Sequence, residues 1–81
     1  MIKITAELID GRVPNMPGAS AHLMERCGFL LMHGYTPAFT LENDTYTLNS
    51  ITHTEMGHKL EDREMKAWAE DMLVDYKKEE K

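Results

Sequence analysis

The hydrophobic period switches along the chain. Ile2, Ile4, Ala6 and Leu8 alternate with Lys3, Thr5 and Glu7. That period of two belongs to a strand with one buried face, so a strand is expected over Ile2 to Ile9. Asp10-Gly11 follows directly. The dipeptide tolerates the positive φ angles of a tight turn, so Arg12 and Val13 are expected to pair back briefly before Pro14 and Pro17 stop the pairing. Beyond Pro17 the period lengthens. Ser20, Leu23, Met24, Cys27, Leu30 and Leu31 fall on one helical face, and Gly34 stands where a left-handed cap closes a helix. A helix over Ser20 to His33 is predicted. Gly28 leaves two readings open: an interior glycine that costs about 1 kcal/mol, or a cap that releases Phe29 to Met32 as a strand.

Alternation returns with Phe39, Leu41, Tyr46 and Leu48 set against Thr40, Thr45, Thr47 and Asn49, around Glu42-Asn43-Asp44. This predicts a hairpin with arms Ala38 to Leu41 and Thr45 to Ile51. Its threonine-rich face is either solvated or a flat hydrogen-bonding surface, and its edge is open to strand addition. Finally Met65, Trp68, Ala69, Met72, Leu73 and Tyr76 recur at spacings of three and four, predicting a helix over Asp62 to Lys78. Acidic residues crowd its start and lysines its end, as the macrodipole favours. Residues 77–81 are expected to fray.

These elements describe one α+β domain: a small antiparallel sheet of about three strands with two helices on one face, in the order β-(β)-α-β-β-α. Its expected core is Ile4, Leu8, Leu23, Cys27, Leu30, Phe39, Tyr46, Leu48, Trp68, Met72 and Tyr76.

Composition narrows the function. A chain of 81 residues buries about 60–65% of its unfolded surface, too little for a two-lobed catalytic cleft, so binding outranks catalysis. The formal charge of −5 argues against direct nucleic-acid binding, which needs clustered Lys and Arg. It leaves the reverse role, offering carboxylates to a protein that holds nucleic acid. The lone Cys27 excludes an internal disulfide and fits a reducing compartment. No signal-peptide pattern and no apolar run of membrane-spanning length is seen, so a cytoplasmic location is expected and no membrane contact.

Candidate binding residues fall into two sets. On the last helix Glu61, Glu64, Asp71, Asp75 and Glu79 share one flank, while Arg63, Lys66, Lys77 and Lys81 share the other with Glu70. The Asp71/Asp75 pair at i,i+4 costs about 0.2–0.5 kcal/mol; the flank reads either as a solvated face or as an acidic stripe aimed at a basic partner, joined by Glu42 and Asp44 from the hairpin turn. On the first helix His22, Arg26, Phe29 and His33 form one flank, with Met32 outermost. Phe29 and Met32 are either an exposed contact or packed beneath the N-terminal hairpin.

Specific chemistry is sparse. His53, Glu55 and His58 depart from the zinc-protease spacing, since the histidines are five apart, the glutamate is two places on and Gly57 argues for a loop. No glycine-rich phosphate loop, nucleophile elbow or CxxC is present, and no cofactor is expected. The leading expectation is a small acidic non-enzymatic binding module, a regulator or inhibitor that presents Glu64, Asp71 and Asp75 to a protein with a basic surface, by analogy with the inhibitors that bacteriophages direct at host nucleic-acid machinery. The alternatives are a structural subunit or homodimer, using Phe29, Met32, Ala67 and Val74, and a metal-dependent enzyme built on His53, Glu55 and His58.

Overall fold

The structure, a computed structural model, describes residues 2–11 and 13–78. Its class is α+β, with more strands than expected. β1 (Ile2–Thr5), β4 (Tyr35–Glu42), β5 (Thr45–His53) and β6 (Asp75–Tyr76) form a four-stranded sheet in the order β1-β4-β5-β6, and β2 (Leu8–Asp10) pairs with β3 (Val13–Pro14) in a separate ribbon. The helices are α1 (Ala21–Met32) and α2 (Asp62–Asp71). The main sheet is mixed, because β6 runs parallel to β5 through the α2 crossover.

The expected strand from Ile2 to Ile9 divides. β1 pairs with β4 only as far as Thr5, after which the Ala6 amide donates to the Pro37 carbonyl (2.9 Å) and the chain turns away into β2. Pro37 lies within β4, beside the point where β1 leaves, so its missing N–H removes no ladder bond from that side. Pro14 does not stop the ribbon but pairs with Leu8. Gly11 takes φ +65 in the turn, and the expected partner Arg12 lies outside the described residues.

α1 follows its pattern. The Ser20 hydroxyl accepts from the Leu23 amide at 3.2 Å, satisfying one of the orphan donors of the first turn. Gly34, at φ +87, follows the last turn. Gly28 is buried inside the helix and does not end it. The hairpin is longer than its expected arms and its turn shorter: Asn43 and Asp44 alone supply the left-handed residues, φ 51 and 62, as a two-residue turn between twisted strands requires. A register shift sets Phe39 opposite Leu48 and Ala38 opposite Ser50, leaving Asn49 as the bulged residue, whose side-chain Nδ2 donates to Thr40 Oγ1 (2.7 Å).

The last element is the main correction. The expected helix to Lys78 ends at Asp71. Leu73 adopts φ 61, its amide bonds to the Glu70 carbonyl (3.1 Å) and the Val74 amide to the Ala69 carbonyl (2.9 Å). These two bonds are the paired closure of a Schellman ending, with Leu73 in the place that glycine usually takes. The chain then joins the sheet as β6, and the Lys77 amide donates to the Leu48 carbonyl. Ending there removes Asp71 and Asp75 from a shared helix face. Glu79 and Lys81, also expected on this helix, lie outside the described residues.

A left-handed leucine costs about 1–2 kcal/mol, and Leu73 is 80% exposed, so little burial offsets it. Leu73→Gly is expected to stabilise the fold by about 1 kcal/mol, read as a higher urea midpoint at unchanged slope. A loss of stability would show that the exposed leucine makes a contact the ending depends on.

Both helices pack on one face of the sheet, with Leu23, Cys27, Leu30, Ala69 and Met72 joining Phe39, Tyr46, Leu48 and Ile51 in one buried cluster. Met16 enters from the segment after β3, and the Tyr46 hydroxyl donates to the Pro17 carbonyl (2.6 Å). Ile4, Trp68 and Tyr76 are only partly buried against this cluster, and Leu8 is half-buried on the ribbon. Ala6, Met16, Pro37, Ile51, Met65 and Ala69 are buried beyond expectation.

Candidate functional site: the groove between the helices

α1 and α2 lie side by side and run in opposite directions, as three contacts between them establish. At one end the His22 ring donates through Nε2 to the Asp71 carbonyl. In the middle Arg26 Nε pairs with Asp71 Oδ2, and the Arg26 guanidinium lies over two rings, 5.2 Å from the Trp68 centroid and 5.4 Å from that of Phe29. Beyond it Phe29 tilts against Trp68, with centroids 6.2 Å apart, and stacks on His33 at 4.1 Å. His33 Nδ1 donates to the Phe29 carbonyl (2.8 Å), fixing that ring over the helix end.

The hollow between these side chains measures about 290 Å³ and is lined by Arg26, Glu64, Ala67, Trp68 and Asp71. Beside it, against Trp68 and Arg26, Phe29 is 44% exposed, and Met32, one turn on, 54%. The groove thus joins the two candidate surfaces that the sequence left apart. Phe29 comes from one; Glu64 and Asp71 come from the other. Phe29 does not pack beneath the N-terminal hairpin, and the flank of α1 that bears it faces α2.

The remaining acidic candidates lie elsewhere. Asp75 pairs with Thr47 in β6, two residues along β5 from the hairpin turn that carries Glu42 and Asp44. These three exposed carboxylates share one end of the sheet. Val74, expected on an outer helix face with Ala67, is instead partly buried against the core, while Ala67 is exposed in the groove.

Other ionisable groups lie in the turn after β5, inside the core and at the β5 edge. The His53 amide donates to the His58 carbonyl (2.8 Å), and His53 Nδ1 accepts from the Met56 amide (3.1 Å), so His53 organises the turn after β5. Glu55 is exposed in that turn. Among the described residues no three His, Cys, Asp or Glu side chains gather as a metal would require. Cys27 is wholly buried, and burial pushes its thiol up from 9.0 to about 12, which keeps it protonated and poorly nucleophilic at neutral pH. A second hollow, about 510 Å³, is a notch at the β5 edge between β6 and the start of α2, with Ser50, Lys59, Glu61, Asp62, Arg63 and Lys78 in its lining. There Asp62 accepts from the Tyr76 hydroxyl (2.9 Å) and sits 3.7 Å from Lys78. Burial, then the hydrogen bond to Asp62 and its charge, push the Tyr76 phenol upward.

Sequence patterning placed Arg26 on a flank and Trp68 in the core stripe without pairing them. The signal was complementarity of spacing: Arg26 and Phe29 are three apart on α1, and Glu64, Trp68 and Asp71 are four and three apart on α2. Antiparallel helices match such sets side by side. Among the described residues no helix is long and apolar enough to cross a membrane. Comparison with protein-family models, with curated proteins and with solved structures finds no match to the chain.

Proposed function

We propose that this chain is a cytoplasmic, non-enzymatic protein-binding module, a regulator or inhibitor, which docks through the α1–α2 groove onto a partner with a basic surface. One observation carries the reading: Phe29, Arg26 and Trp68 are held in a single open stack framed by Glu64 and Asp71. Aromatic and arginine side chains dominate binding energy at protein interfaces, because they bury much area for few lost rotamers. Here the rotamers are already restricted, since Arg26 is tethered by Asp71 and stacked on both rings, which lowers the ordering cost of binding. The tether cancels the positive charge of Arg26. Glu64 therefore sets the local sign, in a chain whose formal charge is −5, and a basic surface is the electrostatic complement.

The test uses wild-type, Phe29→Ser and Glu64→Lys proteins as baits in nuclease-treated native lysate, followed by calorimetry of the purified captured protein at low and moderate salt. Phe29→Ser is expected to weaken binding about tenfold or more. Glu64→Lys is expected to weaken it several-fold and to flatten its salt dependence. Affinity unchanged in both variants would reject the groove as the docking face.

A further inference from the structure

α2 turns one stripe into the groove. Glu64, Ala67, Trp68 and Asp71 stand at i, i+3, i+4 and i+7 and line the same hollow, as helical neighbours on one face do. Ala67 carries only a methyl group between longer side chains and is exposed, which leaves the depression its depth. A volume of about 290 Å³ falls just short of the usual range of small-molecule sites. It suits one inserted side chain.

Two carboxylates bracket Trp68, one four residues before it and one three residues after. On the Asp71 side an arginine completes the arrangement: the Arg26 guanidinium lies 5.2 Å from the Trp68 centroid and pairs with Asp71 Oδ2. On the Glu64 side the ring and the carboxylate recur without a cation. Glu64 is exposed, and among the described residues its side chain makes no ion pair or hydrogen bond. The occupied side therefore shows which chemistry the other side fits.

We propose that this hollow receives one arginine side chain of the partner, with its stem on the Ala67 methyl and Trp68 and its guanidinium paired with Glu64. The inference rests on the groove being the docking face, and it names the residue that the groove reads. A guanidinium stacks on aromatic rings, takes both oxygens of a carboxylate and sheds water more readily than an ammonium, so arginine is favoured over lysine. Arg26 does not oppose it. Its charge is cancelled by Asp71, which lies roughly 10 Å from Glu64 along the helix axis, about one Debye length at 0.1 M salt.

Trp68 is the chain's only tryptophan, so its fluorescence reports on the hollow directly. The protein is titrated at constant ionic strength with N-acetyl-arginine amide, N-acetyl-lysine amide and N-acetyl-citrulline amide, the last a neutral isostere. Arginine amide is expected to saturate with a dissociation constant on the order of 1–10 mM, as one side chain on a shallow site allows. Lysine amide should bind at least about threefold more weakly, and citrulline amide should not saturate. Glu64→Gln removes the charge and Ala67→Leu fills the hollow; each is expected to weaken arginine binding about fivefold or more. Glu70→Gln, an exposed carboxylate outside the hollow, should leave it unchanged, and circular dichroism confirms that each variant is folded. No saturable response to arginine amide, an equal response to citrulline amide, or a response retained in both Glu64→Gln and Ala67→Leu would each overturn the proposal. The docking reading is judged separately. A captured protein indifferent to Phe29→Ser and Glu64→Lys rejects the groove as its docking face even where arginine amide binds, and one sensitive to both keeps the groove even where arginine amide does not.

Discussion

Phe39→Ala is expected to remove about 3–5 kcal/mol of stability, a large part of the roughly 4–12 kcal/mol that a chain of this length has in total. Phe39 is fully buried at the centre of the sheet, flanked in register by Ile4 and Leu48, and its ring meets Tyr46 edge-on at 5.8 Å and 90°. Removing it loses transfer energy and opens a cavity against both helices, while the β4–β5 ladder resists collapse. Urea unfolding followed by tryptophan fluorescence is the measurement. A cost below about 1.5 kcal/mol, the range of volume-conserving swaps, would show that the core is not centred on this ring. Binding through the groove should weaken in the same variant, because both helices that form it pack on the β4–β5 pair. Phe29→Ser, by contrast, is expected to alter one surface while the fold stands.

How far the sequence reveals this molecule differs from element to element. α1 and the β4–β5 hairpin were legible because local chemistry and hydrophobic period agree there: Ser20 caps, Gly34 ends, and Asn43-Asp44 turns. The end of α2 was not legible, because Met72, Leu73 and Tyr76 continue the spacing of a helix while the backbone has already left it. Tyr76 is partly buried against the core from β6, and its spacing of three from Leu73 is a chance of phase. The clue was electrostatic. Asp71 and Asp75 at i,i+4 repel on a helix, and the structure relieves them by ending the helix between them. Of the candidate site, single residues were visible and their association was not. Phe29, Glu64 and Asp71 were each nominated, but pairing Arg26 with Asp71 requires knowing which flanks of two helices meet, which no local pattern specifies. The threonine face was visible as a stripe.

Raising the pH above 9 is expected to destabilise the protein steeply, and Cys27→Ala to remove much of that slope. The sign follows from proton binding. In the unfolded chain the thiol ionises near its ordinary value of 9.0, whereas in the fold burial holds it protonated up to about 12. Between those values the native state binds more protons than the unfolded one, so stability falls as pH rises. The thiol's contribution is fully present below pH 9 and is lost as pH climbs towards 12. Each pH unit across that window corresponds to about 1.4 kcal/mol, so the interval from 9 to 11 costs on the order of 3 kcal/mol. Tyr46 and Tyr76 are also shifted upward, chiefly by burial, and act in the same direction from about pH 10. The measurement is therefore a difference. Urea midpoints of wild type and Cys27→Ala are compared at pH 8, 9, 10 and 11. The alanine variant starts lower, because it leaves a small void beside Met72, whose sulfur lies 3.9 Å from the Cys27 Sγ, and then converges on or overtakes wild type as the pH rises. Parallel lines with constant separation would mean that the thiol ionises alike in both states. Cys27 would then not be sealed under the helices, and the packing of α1 against the end of α2, which also positions Arg26 beside Asp71, would be looser than described.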